Sequence, residues 1–418
     1  MSENEKNLVK KRIKMKGIFR IVRISAALAA AVMIGGAGTA SPAAQTAPTP
    51  AQDKPATLGL GQRFELNSTI LNEKREVWVA APAGPGDGAG ERLPVIIQLG
   101  DLSHFRYSAP IVDVLSRNGH IPRCLVVAVP DPTPRHHYRD STPTKVDYLP
   151  ASGGASLFLD FLKKELLPFI ESQFPAASFR IICGHGLSGM FAAWALAESG
   201  GAFGAAITDS ASLTYDNSRL LEDWTAKPPA FAGPASLYLA AGDERETTEG
   251  LRRLAGLFEK NRPDNLDWAV SVEKDEDQGT VCVQAFYKGL KWAFRDWRIP
   301  LLAASGGLEI VKAHYAGLSR RLGYEIPVTE GLLSARGFQL IREQKFEEAK
   351  LVFNLAASAF PGSFTVEQNL GFLYERMKDP ENAAAAYERA AAKAAAAQPD
   401  LAKFFKAQAE RLRKTVRK

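Results

Sequence analysis

Cysteine, histidine and unbalanced charge are all scarce in this chain, and each scarcity closes off a class of function. Three cysteines in 418 residues, Cys124, Cys183 and Cys282, are too few and too scattered for a disulfide framework or a zinc site. Cys124 and Cys183 fall in apolar, strand-like runs and read as small buried hydrophobes. One disulfide in an oxidising compartment stays open, and the sequence does not pair the three. Among the six histidines, the adjacent His136 and His137 lack a spaced third ligand, and Asp275-Glu276-Asp277 reads as a solvated loop, so no metal constellation is expected. Phosphate-binding and dinucleotide fingerprints are missing too, because the glycine-rich stretch from Gly84 to Gly90 is a turn between strands and opens no helix. No cofactor is expected.

The apolar run from Ile24 to about Gly38 is too short and too rich in Ala and Gly for a membrane span. Lys6, Lys10, Lys11, Arg12, Lys14, Lys16, Arg20 and Arg23 precede it, and small residues follow at Gly38-Thr39-Ala40 and Ala43-Ala44. A basic region, a short apolar region and a small-residue cleavage site make a bacterial-type secretory signal over residues 1–44. The chain is therefore expected to be exported, periplasmic or secreted, without a stable membrane span once the signal is cleaved. An uncleaved N-terminal anchor is the alternative; no Cys follows, so no lipoprotein anchor is expected. The segment also explains the charge. It holds eight Lys/Arg against Glu3 and Glu5, so removing it takes the formal net charge from +6 to zero. A mature chain without basic bias gives no support for nucleic-acid binding.

The 418-residue chain as a whole has ordinary globular composition, 46% hydrophobic and 23% charged, and is long enough for one large domain and one small one. A Pro/Ala/Thr-rich linker is expected over 45–58. Short, mostly β-branched runs follow at Glu76–Ala81, Leu93–Leu99, Cys124–Val129, Phe179–Cys183, Ala205–Thr208 and Leu237–Ala241. Helical patterns alternate with them at Ala109–Asn118, Gly154–Gln173, Ser188–Ser199 and Glu249–Lys260. Alternating buried strands and helices predict an α/β domain over 59–300, a mostly parallel sheet with helices on both faces. Residues 301–328 read as a connecting helical segment. Beyond it, Gly337, Phe338, Ala349, Phe353 and Ala356 recur 34 residues later as Gly371, Phe372, Ala383, Tyr387 and Ala390. That period and register match the tetratricopeptide repeat. Two such units and a capping helix, Leu401 to Val416, make a small all-α region over 329–418; an unrelated Ala-rich bundle is the competing reading.

The chemistry is expected where the strand ending at Cys183 meets Gly184-His185-Gly186-Leu187-Ser188-Gly189-Met190-Phe191-Ala192 and then a helix. In α/β-hydrolases the nucleophile sits on such a sharp strand-to-helix turn, G-x-S-x-G. This segment resembles the bacterial putative esterase family, which includes enterochelin esterases and the human esterase D type and reads G-H-S-x-G-G-x-F-A here. Arg139-Asp140-Ser141-Thr142-Pro143-Thr144, Ser210 to Asn217, and Gln278-Gly279-Thr280-Val281 with Tyr287-Lys288-Gly289-Leu290 resemble further motifs of that family in the same order. The resemblance runs from about Leu60 to Arg298 and implies an α/β-hydrolase fold and ester hydrolysis by a Ser-His-acid triad.

Laid onto these residues, the triad is broken. Gly186 stands where the serine belongs and has no side chain to attack an acyl carbon. Gln278 stands where the histidine belongs and cannot accept a proton near neutral pH. Asp243, Glu244 or Glu246 matches the acid. Ser188 falls where a glycine belongs, roughly 200° around the helix from Gly186, and is either a displaced nucleophile or an ordinary helix-start hydroxyl. The resemblance further places oxyanion-type backbone amides at Asp101, Leu102 and Leu187, and His136, His137, Arg139, Asp140, His185 and Tyr215 along the cleft. The two histidines of the pair are expected on a loop, and His185 is expected to pack beside the sheet. Three readings follow. One is a non-catalytic esterase-like protein binding a small ester- or carboxylate-like ligand; another is an active carboxylic ester hydrolase using Ser188; the third is a module whose repeats dock a protein partner.

Overall fold

Runs of β-branched residues bounded by Gly, Pro or Asp form buried strands, and the intervening amphipathic stretches cover them on both sides. A computed structural model describes residues 59–82, 91–300 and 307–416; the expected signal and linker lie outside the described residues. Eight strands make one sheet: β1 (Gln62–Ser68), β2 (Glu73–Ala80), β3 (Leu93–Gly100), β4 (Leu125–Pro130), β5 (Ala176–His185), β6 (Ala205–Asp209), β7 (Ala235–Ala241) and β8 (Leu266–Val272). Their order is β1-β2-β4-β3-β5-β6-β7-β8. From β4 to β8 every neighbour is parallel, while β1 and β2 pair antiparallel at one edge. The chain winds from β3 outward to β4 and then returns to the other side of β3 with β5. In open α/β sheets, ligands bind beyond the carboxyl ends of strands at such a switch point. Here that crevice opens after Gly100 and His185.

The edge strands β1 and β8 are absent from the sequence reading for a physical reason. Their faces alternate between partly covered and exposed, whereas β3 is buried along its whole length, and only strands covered on both faces read as continuous apolar runs.

The helices of the α/β part are α1 (Leu102–Arg117), α2 (Pro134–Ser141), α3 (Ala155–Phe161) running through a π turn at Leu162–Leu166 into α4 (Leu167–Gln173), α5 (Gly186–Glu198), α6 (Tyr215–Ala226), α7 (Arg245–Lys260) and α8 (Val281–Ala293). Helix α1 starts seven residues before the expected Ala109, because the Asp101 side chain caps it by accepting the Ser103 N–H at 2.6 Å. His136 and His137, expected on a loop, lie on α2, whose start is set by Pro134 in its first turn. Helices α3 to α7 cover one face of the sheet through Phe161, Phe191, Trp224 and Phe258. Helices α1 and α8 cover the other through Phe105, Val112, Phe286 and Leu290.

The second face does not end at α8. Helices α9 (Leu308–Leu322), α10 (Glu330–Arg342), α11 (Phe346–Ala359) and α12 (Phe364–Arg376) share its core through Tyr315, Leu333, Leu340, Phe353 and Leu370. The outer helices α13 (Pro380–Ala394) and α14 (Pro399–Val416) form a smaller cluster around Tyr387 and Phe405. One contact recurs 34 residues apart. A Cβ built on Gly337 would lie 2.4 Å from the Phe353 ring, and one on Gly371 would lie 2.9 Å from the Tyr387 ring. Each glycine lets an aromatic ring from the next helix lie against bare backbone.

Near the antiparallel edge, a buried charge locks α2 to the sheet. Arg75 on β2 is fully buried, ion-paired with Asp140, with its guanidinium 5.1 Å from the Phe158 ring and 5.8 Å from the Phe161 ring. Arg139 donates two bonds to Glu73, at 2.9 and 2.7 Å, and one to Asp140 at 2.7 Å. Asp140, expected to line a cleft, is therefore buried in an ion-pair cluster, and Arg139 supports it. Without Asp140, buried Arg75 keeps only Glu73, 3.5 Å away, to face its charge beside the Phe158 and Phe161 rings. Asp140→Ala is accordingly expected to lower unfolding free energy by about 3–5 kcal/mol, read from urea denaturation; a loss below about 1 kcal/mol would contradict this role.

Candidate functional site

Strand β5 is apolar and buried from Ile181 to Gly184, and the chain then turns into α5 within one residue. Gly186 holds φ +58, in the left-handed region that a side chain rarely adopts. The turn is tight. A Cβ on Gly184 would sit 2.1 Å from the Ser188 carbonyl oxygen, and one on Gly189 would sit 2.9 Å from the Gly184 carbonyl oxygen. Only hydrogen fits at both places, as a strand-to-helix nucleophile turn requires. Gly186 differs. Around its Cβ position the nearest atoms are Ser212 Oγ at 3.8 Å and the Gln278 side-chain amide nitrogen at 3.9 Å. The apex thus has room for a side chain that the sequence does not supply, and Gln278 stands across from it.

Gln278 is carried by the loop between β8 and α8, and its backbone N–H is accepted by the Glu244 carboxylate. Glu244 follows β7. The two loops clasp closely: Asp243 N–H donates to the Glu276 carbonyl at 3.1 Å, and a Cβ on Gly242 would meet that carbonyl oxygen at 2.5 Å. Of the three acids expected after β7, Glu244 is the one whose carboxylate reaches Gln278. Glu246 instead accepts the Thr214 hydroxyl at 3.1 Å, and Asp243 contributes its amide to the clasp. Leu187 stands in the first turn of α5 and Leu102 in the first turn of α1, where amide hydrogens have no partner within the helix and the helix dipole favours negative charge.

The structure separates several other expected residues from the apex. Ser188 is 2% exposed; its hydroxyl lies 3.1 Å from Ser141 Oγ and beside Gly100. Tyr215 donates its hydroxyl to the Thr144 carbonyl at 2.8 Å. His136 lies 3.3 Å from Glu73, and His137 bonds Asp131 at 2.8 Å, so both belong to α2 and its entry loop.

His185 does more than pack beside the sheet. Its Nδ1 lies 2.5 Å from Asp209 Oδ1, and Asp209 is 5% exposed. The partners sit opposite each other in the parallel register of β5 and β6, which puts their side chains on one face. The His104 ring, on α1, meets the His185 ring edge-on at 5.7 Å and lies tilted against the Tyr107 ring at the same distance. Burial disfavours the charged form of His185, but the hydrogen bond and charge of Asp209, with the charge of Glu244, outweigh it and raise its pKa above the ordinary value. His104 moves the other way: burial lowers its pKa, and the neighbouring His185 adds to that against the pull of Asp209. Burial pushes the Tyr107 phenol and the Cys282 thiol upward. Asp209 and Tyr107 did not stand out in the sequence; a polar residue at the carboxyl end of each of two adjacent parallel strands is the signal that could have found the first.

A parallel sheet, a sharp turn after its central strand and loops converging on that turn define an α/β-hydrolase domain. Residues 68–253 match the family model described as "Putative esterase", and the chain carries an esterase-family α/β-hydrolase domain of that kind. Among solved structures, the chain is similar to an IroE-like serine hydrolase from Shewanella oneidensis, at 25% identity and TM-score 0.61, over 71% of this chain and 99% of that one. It is similar in fold to an uncharacterised protein from Capnocytophaga ochracea, at 16% identity and TM-score 0.55, over 84% and 99% of the two chains. The siderophore hydrolase EstB from Aspergillus nidulans is a further fold neighbour, at 23% identity and TM-score 0.50, over 59% and 100%. Among curated proteins nothing matches.

The two half-buried histidines are expected to titrate on opposite sides of the ordinary imidazole value. Because the folded-state pKa of His185 is raised, its contribution to stability is present below the unfolded pKa, about 6.5, and is lost as pH rises through the folded value. In an NMR pH titration, Asp209→Asn should lower the His185 pKa, since burial is then opposed only by the charge of Glu244. An unchanged His185 titration in that variant would contradict the pairing.

Proposed function

We propose that this chain is an exported protein whose esterase-like domain keeps the hydrolase cleft without acyl-transfer chemistry, and that it binds a small ester- or carboxylate-like ligand there. The observation that carries the reading is the open Cβ position at Gly186 facing the Gln278 amide. Acyl transfer needs a nucleophile that bonds the acyl carbon and a base that takes its proton, and neither residue can serve. Triad members act as a unit, so either loss alone removes most of the rate enhancement.

What is left suits an anion. First-turn amides at Leu102 and Leu187 favour negative charge, and His185, beside the apex, gains positive charge more readily than a free imidazole. Hydrolysis through Ser188 is not favoured, because that hydroxyl is buried against Ser141. The 34-residue recurrence supports reading the C-terminal helices as tetratricopeptide-like. Since α10 to α12 share the core of the sheet, we assign them a scaffolding role and leave the outer helices as the surface for a protein partner.

Mature protein is expected to show no turnover of short-chain aryl esters above background, with Gly186→Ser plus Gln278→His gaining measurable turnover. Gly186→Ser alone should cost about 1–2 kcal/mol of stability, because a side chain must then adopt the left-handed conformation. Robust wild-type hydrolysis abolished by Ser188→Ala would instead establish a displaced nucleophile.

A further inference from the structure

Far from the cleft, a cavity of about 720 Å³ lies between the sheet and the C-terminal helices. Its walls include Ala176 and Ser178, at the start of β5. Strand β5 runs ten residues from there to the apex turn, which at ~3.3 Å per residue separates cavity and cleft by roughly 30 Å. The volume falls in the range of small-molecule sites.

The lining combines aromatic surface with cations that lack full compensation. Trp297, Tyr315, Tyr324, Ile299 and Leu332 supply the apolar part. Five arginines line the wall, Arg92, Arg117, Arg123, Arg298 and Arg336, and the last two face each other's charge most directly. Arg298 donates to the carbonyls of Gly119 at 3.3 Å and Asn118 at 3.2 Å, and its nearest carboxylate, Glu343, is 3.8 Å away. Glu343 is already held by Lys345 at 2.9 Å and Gln339 at 2.7 Å. Arg336 bonds the neutral Gln339 side chain at 2.9 Å, and its Nε is buried with no hydrogen-bond partner. The other acids of the lining are committed or peripheral: Asp113 pairs with Arg117 at 2.7 Å, Glu91 with Arg123 at 3.6 Å, and Glu325 is exposed. Burial depresses the pKa of both Arg298 and Arg336, and Arg336 adds to the effect on Arg298. A buried donor without a partner, beside a second, half-buried cation, is costly until an anion satisfies it.

We propose that this cavity binds a small organic anion, one carboxylate- or phosphate-like group on an aromatic or acyl body, with Arg298 and Arg336 clamping the charge. Arg is suited to the task, since its planar fork meets carboxylate and phosphate oxygens bidentately.

The test uses the full mature chain and 1-anilinonaphthalene-8-sulfonate, a probe with one anionic group on an aromatic body, titrated by fluorescence with stoichiometry from calorimetry. Expected are one bound probe per chain, weakening with added salt, and at least a tenfold loss of affinity in Arg336→Gln and in Arg298→Gln, the scale of a charge-assisted hydrogen bond. Arg336→Lys should lose less than Arg336→Gln. Ala335→Trp, which keeps both cations and fills the cavity from the exposed side of α10, should abolish the site; it decides the matter if the arginine variants fail to fold. Probe binding unaltered in Ala335→Trp, or equal in Arg336→Gln and wild type at matched melting temperature, would overturn the proposal.

Discussion

The constraint on which the site depends is the turn at the end of β5. Its geometry leaves no room beyond hydrogen at Gly184 and Gly189 and holds residue 186 at a positive φ. A hydrolase uses that turn to push a nucleophile out of the sheet into the crevice, tolerating local strain at the apex because the surrounding structure over-determines it. In this chain the turn is retained in full while its apex carries no side chain. Glycine adopts this conformation freely, so the strain associated with the apex is gone along with the reactive atom.

The surroundings of the apex bring an acid, an imidazole and two helix starts together. Glu244 still reaches the loop of residue 278, and two helix starts still face the switch point between β3 and β5. The charge has a different centre, however: His185, held by Asp209, is the group beside the apex that favours a proton. On the function proposed above, preorganised donors without a nucleophile hold a carbonyl or carboxylate without turning it over, because they stabilise charge but form no covalent bond.

Much of this was legible in the sequence, for reasons particular to each feature. The turn was readable because close backbone approach dictates glycine, and glycine leaves a spaced signature. The central strands were readable because burial on both faces demands continuous apolar runs. Edge strands β1 and β8 were not, since half-covered strands carry weaker patterns. Asp140 looked like a cleft residue by position in its motif, yet its partner Arg75 lies 65 residues away on β2, a pairing no local pattern reveals. The His185–Asp209 bond likewise depends on the register of two strands, and choosing Glu244 over its neighbours required the loop clasp. The cavity at Arg298 and Arg336 arises only when the C-terminal helices pack on the sheet.

Fluorophosphonate labelling followed by peptide mapping addresses the central claim most directly, because the probe bonds only an activated hydroxyl. The mature protein is expected to take up no label, while Gly186→Ser combined with Gln278→His should be labelled at position 186. Stoichiometric labelling of the unmodified chain at a cleft serine such as Ser188 or Ser212 would contradict a cleft without a nucleophile.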